Sequence, residues 1–260
     1  MKRILRVALA GPYTLVGALC IRAAVAFDRR QGRVPPAGLG RRAQRAWCRG
    51  MCRLMGVRLQ VRGEQPSSGP VLLVANHVSW LDIVCIAALW PVAFLSKSEV
   101  RRWPVVGRTA SALGTLYIER GRRAAAARAI DVMRERLSAG GRVLFFPEGT
   151  TGDGRSVRAF RARLYQAAID ARVPVQAVGL RYVDANGEPV EHLPFTDDQS
   201  LITNLWQVAA EPAVDVTLTV GPVRASVQAS RSELAAATRH DVAAALQPVE
   251  TAEEPLAVAG

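Results

Sequence analysis

The sequence lacks the residue patterns that build disulfide frameworks, metal centres and nucleotide-binding loops. Its 260 residues include four cysteines and three histidines, and neither set has the paired spacing of a zinc site. It also contains no internal repeat and no glycine-rich phosphate-binding motif. These absences argue against a disulfide-stabilised secreted domain, a repeat array and a metalloprotein, and they predict neither a bound metal nor a resident cofactor.

What the chain does have is apolar material and an uneven distribution of charge. Hydrophobic residues make up 50% of it, which excludes a disordered chain and supplies the core of one large domain. The net charge is +12, yet residues 1–60 hold 13 lysines and arginines against one acid, Asp28, while the other 200 residues hold 21 of each sign. The excess positive charge therefore belongs to an N-terminal extension, which argues against a nucleic-acid-binding protein with a basic folded face.

An apolar stretch opens this extension and reaches Phe27, interrupted by Arg6, Pro12 and Arg22. Only 15 uncharged residues, 7–21, lie between the arginines, fewer than the roughly 20 that a spanning helix needs. Pro12 is predicted to break or kink the helix. We favour an interfacial or re-entrant helix pair over a spanning helix, and a signal peptide is the third possibility, although Arg22 stands where a small-residue cleavage site belongs.

A second helix predicted over residues 40–56 has two different faces. On a helical projection four arginines share one face and three apolar residues share another: Arg42, Arg45, Arg49 and Arg53, and Trp47, Met51 and Leu54. Such a helix can lie in an interface with anionic lipid, and a solvated surface helix is the alternative.

The remainder of the chain alternates between predicted strands and helices. Apolar runs bounded by turn residues predict strands at 57–64, 71–75, 92–95, 115–118, 143–146, 174–179 and 215–220. Helices are predicted at 81–90 and 122–137, along Phe160, Leu164 and Ala168, and from a Ser230–Glu233 capping box to Leu246. The pattern predicts an α/β fold with a mostly parallel central sheet flanked by helices, and the first strand lies at the sheet edge.

This alternation also suggests how the chain is divided. Residues 1–56 are predicted to form membrane-associated helices and residues 57–225 the α/β domain. Residues 226–247 are predicted to form a C-terminal helix, and residues 248–260 a disordered tail.

The first candidate for chemistry is the segment 76–82, which directly follows the apolar strand at 71–75. Ligands of open α/β sheets bind beyond the carboxyl ends of strands, so His77 stands where a site is expected. Its unperturbed pKa suits proton exchange near neutrality, and Asp82 could fix its tautomer if His77 lies in the turn before the helix. The alternative is a buried histidine satisfied by backbone groups, with Asp82 interacting only with the helix dipole.

Two further segments end strands with polar residues. In 145–155 a carboxylate, Glu148, is followed by glycines and threonines, a loop that can present N–H groups to an oxygen-rich ligand or can be only a turn. In 114–120 a strand ends in Glu119 and Arg120, which can also be an ordinary surface ion pair.

Taken together, these segments resemble a known family. Asn-His-x-Ser-x-x-Asp, Gly-x-x-Tyr-Ile-x-Arg, Phe-Pro-Glu-Gly-Thr and a later Val-Pro-Val-Gln-Ala-Val-Gly occur in this order and are similar to the four blocks of the lysophospholipid acyltransferase family, over about residues 57–225. The resemblance implies acyl transfer from acyl-CoA or acyl carrier protein, as co-substrate, to a lysolipid hydroxyl. It implies that His77 is the general base, oriented by Asp82.

The same resemblance implies the substrate-binding residues. They are Asn76, Ser79, Lys97, Gly114, Arg120, Glu148, Gly149 and Thr150. It also implies that Pro174 shapes the acyl-donor side. The apolar stretch 83–95 lines an acyl tunnel or simply packs in the core.

One departure from the family pattern concerns the acceptor. Type members often carry an arginine soon after Glu-Gly-Thr, where this chain has Thr151, and its first base is Arg155. An arginine fork suits phosphate, so another base, Arg120, Arg155 or Lys97, must supply that contact if the acceptor is 1-acylglycerol-3-phosphate. The Glu-Gly-Thr-Thr-Gly-Asp-Gly form instead resembles the subgroup that acylates lyso-ornithine lipids, and both acceptors stay open.

The predicted location and partners follow from the extension and the resemblance together. We expect a membrane-associated enzyme at the cytoplasmic face of the inner membrane. Its partners would be a lipid acceptor, a thioester donor and an anionic membrane surface, without nucleic acid. A non-catalytic membrane-anchored scaffold and a basic nucleic-acid-binding protein are the alternatives.

Overall fold

The computed structural model of the chain describes residues 2–32, 38–119, 123–195 and 199–247. Its helices are α1 (Lys2–Arg30), α2 (Leu39–Met55), α3 (Leu81–Leu89), α4 (Val106–Ala112), α5 (Arg123–Ser138), α6 (Gln166–Ala171), α7 (Leu201–Val208) and α8 (Arg231–Leu246). Its strands are β1 (Val57–Gly63), β2 (Val71–Ala75), β3 (Ala93–Lys97), β4 (Leu116–Ile118), β5 (Arg142–Phe145), β6 (Val175–Val183) and β7 (Val214–Arg224). The predicted tail 248–260 and Arg120 lie outside the described residues.

The strands form one sheet in the order β1-β7-β6-β2-β5-β3-β4. Every neighbouring pair is parallel except β6 and β7, which are antiparallel. The predicted mostly parallel sheet flanked by helices is therefore confirmed, and β1 lies at an edge as expected. The central strand β2 is buried along its whole length, as its continuous apolar sequence indicates.

Helices cover both faces of this sheet, and each face has its own hydrophobic core. Leu73 of β2 packs with residues of α1, α2, α3 and α7. Its neighbours Leu72 and Val74 point to the other face and pack with α5, α6 and α8. The alternation of side chains along one buried strand thus explains why the strand is apolar at every position.

Pro12 does not break the helix, because α1 is continuous from Lys2 to Arg30, so this stretch is one helix and not the predicted helix pair. A proline removes one backbone donor, but packing against α2 holds the turns on both sides. Tyr13, next to the proline, stacks on Trp47 with ring centroids 6.3 Å apart and donates a hydrogen bond to the Trp47 carbonyl at 3.2 Å. Tertiary contacts therefore override the local preference of the proline.

The exposed surface of α1 is apolar. Seven large hydrophobic side chains on it are 45–63% exposed: Ile4, Leu5, Leu9, Leu15, Val16, Leu19 and Phe27. In the described ranges α1 is the one helix long and apolar enough to cross a membrane, judged by length and composition. These features indicate membrane association through α1.

The two predicted faces of α2 serve the protein interior more than a lipid surface. Met51 is buried. The Trp47 ring packs directly on Gly17 of α1, where an added Cβ would lie only 1.9 Å from the ring. Arg45 and Arg49 donate to carbonyls at the end of α3, Leu89 O at 2.6 Å and Ala88 O at 3.2 Å. Helix ends leave their last carbonyls without intrahelical donors, so these arginines satisfy α3.

Only the other two arginines of the predicted stripe, Arg42 and Arg53, are exposed. Two of the four arginines that were predicted to face lipid therefore cap α3 instead.

Two local predictions differ from the structure in the second half of the chain. The helix predicted along Phe160, Leu164 and Ala168 begins only with a 3-10 turn at Ala162–Tyr165, followed by α6. The preceding backbone is held by other acceptors, since the Arg161 N–H donates to the Pro147 carbonyl at 3.0 Å. Helix α7 was not predicted at all, whereas the capping box at the start of α8 is confirmed.

Candidate active site

The candidate site is built around His77, in the turn between β2 and α3. The Nδ1 atom of His77 lies 2.6 Å from Oδ2 of Asp82, which is fully buried in the first turn of α3. The two residues meet because His77 precedes the helix, so the 100° rotation per helical residue does not separate them. The sequence allowed this pair only if His77 lies in the turn before the helix, and the structure shows that it does.

Three further donors converge on the Asp82 carboxylate. The backbone N–H groups of Val78 and Ser79 donate to Oδ2 at 2.7 and 3.0 Å, and the Tyr182 hydroxyl donates to Oδ1. Burial and the negative charge of Asp82 raise the pKa of Tyr182 well above its usual value, so this hydroxyl stays protonated. A buried carboxylate is stable when its oxygens are hydrogen-bonded in this way, and these donors hold it in place beside His77.

The surroundings also fix the histidine ring. A carboxylate only accepts hydrogen bonds, so when the His77 ring is neutral its proton belongs on Nδ1 and Nε2 keeps its lone pair. The ring stacks on Phe146 with centroids 4.0 Å apart and an interplanar angle of 12°. His77 therefore presents a basic nitrogen in a fixed orientation, which is what a general base requires.

Glu148 supports the backbone of this site. It is 4% exposed, and its two oxygens accept hydrogen bonds from the N–H groups of His77, at 2.9 Å, and Arg158, at 3.2 Å. Burial raises the pKa of Glu148, and these hydrogen bonds oppose the rise. The Gly152 N–H donates to the His77 carbonyl at 2.7 Å, so the Glu148 loop holds the His77 peptide groups from both sides.

His77 borders a cavity of about 890 Å³ whose walls are mainly apolar. Small residues of α1, Ala10 and Gly11, form part of its wall together with residues of α2, α3, β3 and α7. This volume is near the upper end of the range for small-molecule sites, about 300–1,000 Å³. Within the described ranges, no group of three or more His, Cys, Asp or Glu residues is placed to hold a metal ion.

Both interpretations of the apolar stretch 83–95 apply to parts of it. Ile83 and Phe94 line the cavity, whereas Cys85 and Ile86 are fully buried in the core.

The predicted substrate-binding residues that the structure describes differ in their position relative to the cavity. Lys97, Gly149 and Thr150 line the cavity. Asn76, Ser79 and Glu148 are buried and are not among the cavity residues, so their predicted contact with a substrate stays a prediction.

Asn76 instead joins β2 to β6. Its amide donates to the Leu180 carbonyl at 2.9 Å and accepts from the Leu180 N–H at 2.8 Å, so both ends of the side chain are occupied. The Ser79 hydroxyl oxygen faces the N–H of Leu81 at 3.5 Å. Gly114 is not among the cavity residues and adopts a left-handed turn, φ 82°, beside the Arg136 guanidinium. The sequence motif therefore contains residues that build the turn as well as residues that reach the cavity.

Two arginines that sequence reasoning missed, Arg161 and Arg163, line the cavity. The Arg161 guanidinium lies against Gly149, where a Cβ would be 2.9 Å from its central carbon. Among the described residues, Arg161 forms no ion pair and donates no side-chain hydrogen bond. Arg155, which the sequence offered, pairs instead with Glu191 at 3.8 Å on the surface. The sequence signal for Arg161 and Arg163 was their position among basic residues shortly after the Glu148 loop.

This fold and this geometry define a class of protein, α/β proteins in which a His–Asp pair borders a mainly apolar cavity. The model of the acyltransferase family matches residues 58–181. Lyso-ornithine lipid O-acyltransferase of Brucella abortus is 35% identical over 223 residues, which cover 81% of this chain and 84% of that protein. The chain therefore belongs to the acyltransferase family.

Other relatives carry one of two names. Lyso-ornithine lipid O-acyltransferase of Pseudomonas aeruginosa is 42% identical over 171 residues, 65% of each chain. The 1-acyl-sn-glycerol-3-phosphate acyltransferase of Neisseria meningitidis is 38% identical over 163 residues, 62% of this chain and 64% of that one. The crystal structure of the 1-acyl-sn-glycerophosphate acyltransferase from Thermotoga maritima shares the fold, with a TM-score of 0.66 and 21% identity over 94% of this chain and 95% of that chain.

Proposed function

We propose that this acyltransferase moves a fatty acyl chain from a thioester donor, acyl-CoA or acyl carrier protein, to the free hydroxyl of a lysolipid. The observation that carries the proposal is the His77–Asp82 pair at the edge of the 890 Å³ apolar cavity. Such a reaction needs a base at the hydroxyl and an apolar space for an acyl chain, and a histidine held by a carboxylate beside an apolar cavity supports both roles. The names of the relatives support two acceptors, 1-acylglycerol-3-phosphate and lyso-ornithine lipid.

In the proposed reaction, Nε2 of His77 accepts the proton of the acceptor hydroxyl while its oxygen attacks the thioester carbonyl. Asp82 stabilises the resulting imidazolium through its contact with Nδ1. The tetrahedral intermediate then forms the ester and breaks the carbon–sulfur bond, and the proton moves from Nε2 to the departing thiolate. The products are an ester and a thiol, His77 is neutral again, and no covalent acyl-enzyme is needed.

Arg161 is the proposed contact for the charged group of the acceptor. It borders the same cavity as His77 and has no described partner for its charge. The phosphate of 1-acylglycerol-3-phosphate and the carboxylate of an ornithine head group are both oxyanions, which a guanidinium can bind through two parallel hydrogen bonds. Arg161 would thereby take the part of the arginine that follows Glu-Gly-Thr in the type members.

The acceptor and the base are tested in one assay. Purified protein in detergent micelles is given lysophosphatidic acid and lyso-ornithine lipid side by side, each with acyl-CoA and with acyl carrier protein. We expect acylation of one acceptor over the other and loss of turnover in His77→Ala. The matched control is His240→Ala, an exposed histidine on α8. Normal turnover by folded His77→Ala would exclude the proposed mechanism.

The head-group contact is tested separately. Arg161→Gln removes the charge and should raise KM for the acceptor by about tenfold, the effect of one lost charge-assisted hydrogen bond pair, while KM for the thioester is unchanged. Arg155→Gln is the control, since that arginine faces Glu191 on the surface. An unchanged acceptor KM in Arg161→Gln would assign the head group to another base.

We also propose that the cavity opens on the cytoplasmic face of the membrane. The apolar surface of α1 supports membrane association, and the proposed donors are water-soluble cytoplasmic thioesters. In sealed inverted membrane vesicles, added acyl-CoA should be consumed without detergent, whereas right-side-out vesicles should require permeabilisation. The opposite pattern would place the site on the other face.

A further inference from the structure

Helix α7 lies between the cavity and the outside of the protein. Leu201 and Leu205 line the cavity. On the outer side of the same helix Ile202 is 75% exposed and Trp206 is 41% exposed. Ile202 and Trp206 thus expose an aliphatic and an aromatic side chain on the same face of a two-turn helix. Adjacent exposed apolar side chains need an explanation, because such patches mark contacts with other molecules.

The C-terminal end of α7 is attached to the first turns of α1. The Arg3 guanidinium lies 4.2 Å from the centre of the Trp206 ring, and its Nε donates to the Trp206 carbonyl at 3.0 Å. Arg6 donates to the carbonyls of Ala209, at 3.3 Å, and Pro212, at 3.1 Å. The helix end carries partial negative charge and carbonyls without intrahelical donors, so two arginines satisfy it.

The buried side of α7 is attached to the segment that carries the His–Asp pair. Asn204 is fully buried and accepts a hydrogen bond from Nε1 of Trp80 at 2.9 Å. Its amide nitrogen donates to the Pro194 carbonyl at 3.3 Å. Trp80 lies three residues after His77 and two before Asp82 in the chain. Helix α7 therefore has a fixed position relative to both α1 and the candidate site.

The first turn of α1, which contacts α7 through Arg3, also exposes apolar side chains. Next to Arg3, the first turn of α1 exposes Ile4 and Leu5 at 63% and 59%. Aliphatic side chains, a tryptophan and arginines at one edge are the combination found where a protein enters the interfacial region of a bilayer. The positive charge of residues 1–60 complements anionic lipid head groups.

We propose that α7 is a second lipid-contacting element, which inserts Ile202 and Trp206 into the bilayer interface beside the N-terminal turn of α1. The occupant of this surface is the lipid bilayer. Because Leu201 and Leu205 on the inner side of α7 border the cavity, the contact places one wall of the cavity at the lipid surface. A lysolipid can then enter from the bilayer without crossing water; this consequence, unlike the contact itself, rests on the proposed function.

The contact is tested with the full chain and vesicles made of equal parts phosphatidylcholine and phosphatidylglycerol. Ile202→Asp should lower the vesicle partition coefficient about tenfold, as expected for removing one inserted aliphatic side chain and adding a charge. The matched control is Val132→Asp, 44% exposed on α5 at the other face of the sheet, which should partition like the wild type. Equal partition of the two folded variants would overturn the proposal.

Brominated lipids give a second measurement that does not depend on a destabilising variant. Bromine quenches the emission of a tryptophan that enters the bilayer. Brominated lipids should therefore reduce the emission of the wild type by more than that of Trp206→Phe. If the quenched emission is the same in both proteins, Trp206 stays outside the bilayer and the proposal is wrong.

Activity separates this proposal from the proposed function. Ile202→Asp should acylate a lysolipid acceptor normally in detergent micelles and several-fold more slowly when the acceptor is embedded in vesicles. If Ile202→Asp is fully active in both formats and partitions like the wild type, the role of α7 is refuted. Absence of acylation by the wild type in both formats would refute the proposed function and leave the lipid contact to the vesicle and quenching measurements.

Discussion

Asp82→Asn separates the charge of the candidate carboxylate from its shape. The side-chain oxygen of asparagine can accept the N–H groups of Val78 and Ser79 in the position of Oδ2, and its amide can donate to the oxygen of Tyr182 in the position of Oδ1. The hydrogen-bonded frame is therefore retained. The stability cost should stay within about 1–3 kcal/mol, the usual range for a weakened buried hydrogen bond.

The charge itself is lost, and its effect can be worked from the distance. Two unit charges 2.6 Å apart, the Nδ1–Oδ2 separation of His77 and Asp82, attract by about 6 kcal/mol at an effective dielectric constant of about 20. The imidazolium charge is spread over the ring, so about 4–5 kcal/mol is a better value for the pair. Since the imidazolium forms only during the reaction, kcat should fall about 10³- to 10⁴-fold with little change in KM for either substrate.

The assay is thioester-dependent acylation under single-turnover conditions, with unfolding measured in parallel by circular dichroism. Asp131→Asn on α5 is the matched control, because Asp131 is exposed and lies 3.8 Å from Arg134, an exposed ion pair. The control should keep wild-type kcat. A folded Asp82→Asn protein with kcat within tenfold of the wild type would refute the reasoning, since it would mean that no imidazolium forms beside this carboxylate.

Three further predictions concern stability and orientation. Tyr182→Phe leaves one oxygen of a buried carboxylate without its hydroxyl donor, so the free energy of unfolding should fall by about 1.5–3 kcal/mol in urea titrations, and kcat should fall as well; unchanged stability would contradict the hydrogen bond. Arg45→Ala removes a donor to the end of α3 and should cost about 1–2 kcal/mol, whereas Arg42→Ala on the same helix, being exposed, should cost less than about 0.5 kcal/mol; equal losses would count against the capping role. Ser230→Ala removes the capping box of α8 and should cost about 1 kcal/mol in the same titration, a loss that Ser230→Asp should largely avoid.

The parts of the site that are close together in sequence were predictable. His77 directly follows a buried strand. Asp82 is only five residues further along the chain, and a short turn brings its carboxylate to the His77 ring. The capping box of α8 likewise depends on residues three apart. Short segments contain the information for such contacts, because local geometry alone decides whether they form.

The parts that join distant segments were not predictable. Tyr182 lies 100 residues from Asp82 and reaches it only because β6 pairs with β2. Arg161 reaches the cavity because its segment is held by backbone hydrogen bonds to the Glu148 loop rather than forming a helix. Neither residue belongs to the motifs that the sequence offers, and their roles follow from the pairing of strands and loops.

The same division applies to the N-terminal extension. The sequence by itself determined that residues 1–60 carry the excess positive charge on apolar helices, because composition does not depend on folding. Only the tertiary structure decided how these groups are used. Arg45 and Arg49 satisfy carbonyls of α3, and Arg3 and Arg6 satisfy the end of α7, because a helix end that meets the protein surface needs donors from elsewhere in the chain. Which arginines of the extension remain exposed is therefore set by packing and not by sequence.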